Sequence, residues 1–320
     1  MQRFKNALME ALLTKSLTKP VGPLEIRQAV VGLELGITDQ PLLRYLDFFA
    51  SVVPVSSVYF VHVLPKYELF QIAEEAGQAA TKSFVHDTEL EFSQRMETGV
   101  NHFFPQGENI FVEFDVRTGD PLEEVLHDTE EFKADLIVIG QKSDAGWHGI
   151  LARNLVRKTT CPSLVVPQNA EVRLNSILVP VDFSPNSIRA LHYALSMKKR
   201  LGSALRVTCL HVYEQPPIAA YRINHTQEDF RHMLEMNIQD GFAAFLHTYA
   251  KEFANEIEHV VFSLDEGSTS SCILKYAAEN FFDLITIGAK GHTRVELLLI
   301  GSVTEKLMNQ NENIPVLIIK

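Results

Sequence analysis

Three glycines and a serine near the end of the chain carry the clearest chemical signal. After the apolar run Leu284-Ile285-Thr286-Ile287, the residues Gly288, Gly291, Gly301 and Ser302 read G-x2-G-x9-G-S, and Ser302 with Val303, Lys306 and Leu307 opens a helical pattern. Backbone without Cβ can approach a ligand closely, and a helix start offers unpaired N–H groups with the positive end of its dipole. That pairing suits an anion, most naturally a phosphate. A turn followed by a glycine helix entry produces such glycines without any ligand, so the weight rests on their spacing. No G-x4-G-K-[ST] occurs, and no G-x-G-x-x-G follows the first strand of either half. Lys290 and Arg294 lie in the same loop. They either neutralise a polyphosphate or stand as solvated loop charges.

The elements that must hold this loop repeat along the chain. The first half contains AVVGLEL, SVYFVHV, IFVEFDVRTGD, ADLIVIGQKS and CPSLVVP, and the second answers with ILVPVDF, RVTCLHV, HVVFSLDEGS, FDLITIGAKG and IPVLIIK. Glu34 falls opposite Asp182, Asp135 opposite Asp283 and Gly140 opposite Gly288, each 148 positions apart, with His62 and His211 149 apart. Agreement over this length is an internal duplication. Helical patterns over 185–201, about 226–253, 268–279 and 302–309 alternate with the strands of the second half. Alternation of this kind predicts parallel strands joined by helical crossovers. The helix starts are signalled by Ser184-Pro185, Gly267-Ser268 and Asp120-Pro121. On the long second helix of the second half, Met233, Met236 and Phe242 are expected on a core-facing stripe. Asp182 ends the first strand of that half, and Ser184 supplies its own cap, which leaves Asp182 to accept hydrogen bonds from a ligand; the alternative is an acid that satisfies loop amides.

Composition bounds the rest. The 320 residues are enough for two domains of about 150 each, with 46% apolar and 22% charged residues in the ordinary range for globular protein. A net charge of −11 argues against generic binding to nucleic acid or anionic membrane. Three cysteines without a C-x-x-C pair suggest neither a disulfide framework nor a thiolate metal site, and a cytoplasmic location is expected. No apolar stretch approaches the roughly 20 residues that cross a bilayer. Phe4, Leu8, Ala11 and Leu12 give residues 1–23 one apolar stripe, expected to dock as a helix, with a basic amphipathic presequence as the alternative. Domains are expected over 24–168 and 172–320.

The glycine spacing, placed between a fourth strand and a fourth helix and repeated in outline across the chain, resembles the nucleotide-binding signature of the universal stress protein family. The resemblance covers almost the whole chain as a tandem of two such domains. It implies an α/β class, with two doubly wound domains that each carry a five-stranded parallel sheet of order 3-2-1-4-5 and helices on both faces. It also implies that Pro180, Val181 and Asp182 contact an adenosine moiety and that Val212 packs on the adenine. Gly288, Gly291, Gly301 and Ser302, followed by Val303, would then hold the phosphates of ATP, with Mg²⁺ or Mn²⁺. Fifth strands that pair in this family would make the two halves an internal pseudo-dimer, and a homodimer of whole chains is a further expectation.

The matching stretch of the first half, GQKSDAGWHGILARNL, keeps Gly140 but has Ser143 for the second glycine and Gly149-Ile150 for Gly301-Ser302, with a shorter loop lined by Trp147. That half is expected not to bind ATP in the family manner. The function implied is ATP binding by the second half in stress response or signalling. Two other classes stay open: a nucleotide-independent interaction scaffold or small-molecule binder, and an enzyme limited to slow ATP hydrolysis, for which His292 is the one candidate base.

Overall fold

The structure, a computed structural model, describes residues 24–65, 81–105, 109–142, 148–214, 227–264, 267–291 and 300–320. The expected docking helix over 1–23 lies outside these residues, as do Ser143, Trp147, His292 and Arg294. The chain is a tandem of two compact units, divided between Arg173 and Leu174 except that 312–317 group with the first.

The first unit runs β1 (Ile26–Gly32), α1 (Asp39–Val52), β2 (Val55–Pro65), α2 (Thr81–Phe103), β3 (Phe111–Gly119), α3 (Pro121–Glu131), β4 (Leu136–Gln141), α4 (His148–Lys158) and β5 (Ser163–Pro167). The second runs β6 (Ser176–Pro180), α5 (Pro185–Leu201), β7 (Arg206–Glu214), α6 (Gln227–Tyr249), β8 (Glu258–Leu264), α7 (Thr269–Glu279), β9 (Leu284–Gly288), α8 (Ser302–Gln310) and β10 (Val316–Ile319). Strand order is β3-β2-β1-β4-β5 in the first unit and β8-β7-β6-β9-β10 in the second. Both are the doubly wound order 3-2-1-4-5, and β6 pairs parallel with β7 and β9. In the first unit α1 packs beside α2 and α3 beside α4, which covers the two faces of the sheet.

Continuous burial explains the strand sequences. Every residue of β6 (SILVP) and β9 (LITIG) is buried, as expected of central parallel strands covered on both sides. The helix starts follow the sequence signals. Ser184 accepts from the N–H of Ser187, Ser268 from that of Ser271, and Asp120 from those of Leu122 and Glu123. The repeated acids have a purely architectural use. Asp283 Oδ2 accepts from the N–H groups of Asn175 and Ser176 at 2.7 and 3.1 Å, while Asp135 Oδ2 accepts from Arg27 and Gln28 at 2.9 and 3.3 Å. Each clamps the start of the fourth strand of its unit to the start of the first.

One expectation fails on α6. Phe242 is fully buried, but Met233 is 39% and Met236 53% exposed. The buried stripe of this helix is Leu234, Ile238, Phe242, Phe245, Leu246 and Tyr249, and at 3.6 residues per turn positions 233 and 236 fall on the opposite face.

Candidate functional site

The carboxyl ends of β6, β7 and β9 converge with the first turns of α7 and α8, where the strand order reverses, as open α/β sheets place their ligand crevices. They enclose a cavity of about 200 Å³. Pro180, Val181 and Asp182 reach it from the end of β6, Val212 from β7, and Gly288, Lys290 and Gly291 from the end of β9 and the loop beyond. Gly301, Ser302 and Val303 close it at the start of α8. Every expected site position among the described residues thus lines one cavity, and Arg294 is outside those residues.

The backbone reaches this arrangement through a short series of fixed contacts. Val181 donates its N–H to Leu210 O at 2.8 Å, and Gly301 donates to Ala289 O at 2.7 Å. Thr304 Oγ1 donates to Gly288 O at 3.0 Å, and Asn186 Nδ2 to Lys290 O at 3.0 Å. These bonds tie the loop after β9 to the beginnings of α5 and α8. Phe183 sits between Asp182 and Ser184 with φ of 65°, a left-handed conformation that costs a non-glycine residue roughly 1–3 kcal/mol. Its ring is fully buried edge-on against Phe242 and Phe245, and that packing holds the strained corner in place. Leu35 repeats the conformation 148 positions earlier with φ of 54°.

The corner gives Asp182 the local duty that the sequence left as the alternative. Its Oδ1 accepts the N–H of Ser184 at 3.0 Å, so this carboxylate does satisfy a loop amide even though Ser184 caps α5. Its Oδ2 faces Gly291 closely enough that a Cβ there would collide with it. Gly301 precedes α8 as its cap residue and has no side chain to offer. The N–H groups of the first turn and the positive helix end are therefore presented at the cavity wall. Among the described residues no ion pair engages Lys290.

His211, next to Val212, is a pin for the strand ends. Its Nδ1–H donates to Val181 O at 2.7 Å, since a carbonyl can only accept, and burial lowers its pKa so that the ring is held neutral. His62 makes the matching bond to Leu33 O at 2.8 Å.

Sequence reasoning missed Ser187, Leu210, Thr269, Ile273, Ile287 and Thr304, all of which line the cavity. Thr269 and Ile273 were accessible in principle. They stand one turn apart immediately after the Gly267-Ser268 helix start, where a helix following the third strand faces the crevice.

The family model described as the universal stress protein family matches residues 26–167 and again 174–320. The chain belongs to the universal stress protein family. A universal stress protein of Methanocaldococcus jannaschii is 26% identical over 153 residues, which is 48% of this chain and 86% of that relative. A universal stress protein of Synechocystis is 24% identical over 208 residues, 61% of this chain and 64% of its own length. Among solved structures, a universal stress protein from Archaeoglobus fulgidus is similar with a TM-score of 0.56 at 19% identity, covering 92% of this chain and 96% of that one, a likeness of fold. The cavity at the end of β6 and β9 thus belongs to the second of two universal stress protein units in tandem, and no helix among the described residues is long and apolar enough to cross a membrane.

Proposed function

We propose that the C-terminal unit binds ATP and that this binding, rather than turnover, is its contribution to a cytoplasmic stress-response or signalling role. The observation that carries the reading is the helix α8 terminus, capped by a glycine and open to a cavity whose other wall is apolar. Leu210, Val212 and Ile273 offer that wall to an adenine ring, and Asp182 offers a carboxylate to ribose hydroxyls. The polyphosphate would run past Gly291 to the amides at Ser302 and Val303, with Lys290 as its counter-charge. Among the described residues no three His, Cys, Asp or Glu side chains could hold a metal ion together. A Mg²⁺ or Mn²⁺ would accordingly arrive with the phosphates and take the Ser302 hydroxyl as one ligand. The ionisable side chains at the described wall are Asp182 and Lys290, and Asp182 already accepts the Ser184 N–H. Hydrolysis, where it occurs, would be slow.

Equilibrium dialysis with labelled ATP and Mg²⁺ tests this reading. Gly291→Val should reduce ATP affinity at least tenfold, because the new side chain drives into Asp182 and into the phosphate path. ATP uptake that is unchanged in this variant would overturn it.

A further inference from the structure

The N-terminal cleft is built on the same frame, and its differences in charge fall at one end. It encloses about 340 Å³, within the roughly 300–1,000 Å³ of small-molecule sites. Val63, Val125 and Ile139 line it at the positions where the C-terminal cavity has Val212, Ile273 and Ile287, so the wall stays apolar at each of them. The histidine-to-carbonyl bond that sets the adjoining strand ends is kept as well.

The opposite end has been converted. Lys142 stands where the other unit has Lys290, but its Nζ lies 2.6 Å from Glu34 Oε2, which neutralises it within the protein. Glu34 also accepts a hydrogen bond from Thr38 Oγ1 at 3.5 Å, and its own N–H donates to Asp39 Oδ1 at 3.1 Å, so a second, buried carboxyl stands beside the first. Among the described residues α4 contributes Leu151, Ala152 and Leu155 to the wall, whereas α8 contributes its cap residue Gly301 together with Ser302 and Val303. Leu151 and Ala152 set aliphatic side chains on this wall. With its lysine neutralised, the described rim offers phosphate no free counter-charge, while its carboxylates accept hydrogen bonds from hydroxyl and amino groups.

We propose that the N-terminal cleft is a second ligand site, specific for a phosphate-free nucleoside: an uncharged heteroaromatic base on the retained apolar wall, with its ribose hydroxyls directed to the Glu34–Asp39 rim. The identification of that wall as a base-binding surface rests on the ATP reading of the C-terminal unit; the selection against phosphate rests on the N-terminal residues alone.

The test is calorimetric titration of adenosine into the full chain already saturated with ATP and Mg²⁺. One further site per chain is expected, with AMP at least tenfold weaker there than adenosine. Ala152→Phe, which fills the cleft, should abolish adenosine uptake and leave the ATP titration unchanged. Should Ala152→Phe fail to fold by circular dichroism, Glu34→Gln decides. By releasing Lys142 it should raise AMP affinity at least fivefold at the adenosine site. No adenosine uptake, uptake that Ala152→Phe leaves intact, or AMP binding indifferent to Glu34→Gln would each overturn the proposal. A wild-type chain that binds no ATP would overturn the ATP reading alone, because the adenosine titration of wild type and Ala152→Phe without ATP still decides this one.

Discussion

At Gly288 a side chain is forbidden by protein: a Cβ would lie 2.7 Å from Asn186 Cβ and 2.8 Å from the Asn186 carbonyl carbon, both fixed in the first turn of α5. At Gly301 the nearest neighbour would be Ala289 O at 3.3 Å, a contact relieved by a shift of a few tenths of an ångström. The two glycines of one motif consequently separate by experiment. Gly288→Ala is expected to lower the urea midpoint by an amount corresponding to about 1–3 kcal/mol, the usual cost of overpacking, while Gly301→Ala stays within about 1 kcal/mol of wild type. Equal destabilisation by the two would contradict this division of roles. Spacing made the glycines legible in the sequence but not their reasons, since which atom opposes a missing Cβ is a property of the packed fold. Which loop amide Asp182 satisfies was hidden for a similar cause. It depends on the left-handed turn at Phe183, a conformation no propensity assigns to phenylalanine. In the N-terminal unit Asp39 offers a pH test. Burial raises its carboxyl from 3.8 to about 6. Between about pH 4 and 6 the native state therefore holds a proton that the unfolded chain has released, and this contribution to stability is lost as pH rises through that window. Asp39→Asn should flatten the dependence over pH 4–6 and gain about 1–2 kcal/mol at pH 7 in denaturant titrations. A variant with unchanged slope would contradict the assignment.

At the scale of elements the sequence was read most successfully where a local rule sufficed. The serine and aspartate caps of α3, α5 and α7 and the boundaries of α5 needed only neighbours in sequence. Ser268→Ala should therefore cost about 1 kcal/mol through the lost bond to the Ser271 N–H, measured as a fall in the thermal or urea midpoint. Because Thr269 follows that cap and lines the cavity, the same variant should also weaken ATP, though less than a change at Gly291. The stripe of α6 was misread because methionines at helical spacing fit more than one face. Only the partners that the helix finds, Phe183 among them, decide which face is buried. The acids at Asp135 and Asp283 show the reverse case. Their repetition was visible at once, but their task of clamping strand starts requires two segments more than a hundred residues apart to meet.

For the whole molecule, duplication was the most legible feature, and the structure repeats it down to strained backbone. The left-handed residues Leu35 and Phe183 lie 148 positions apart, as do Lys133 and Phe281. Shared geometry at these positions means that both units inherit one way of turning from the first strand and one way of entering the fourth. What differs is the chemistry placed on that frame: a glycine-capped helix end beside Lys290 in one unit, and an ion pair between Lys142 and Glu34 in the other. The number of ATP molecules held per chain tests this asymmetry most directly. Calorimetric titration of the full chain with ATP and Mg²⁺ should give one site, with affinity reduced at least tenfold by Gly301→Val. Two ATP sites per chain, or one that survives Gly301→Val undiminished, would contradict the account.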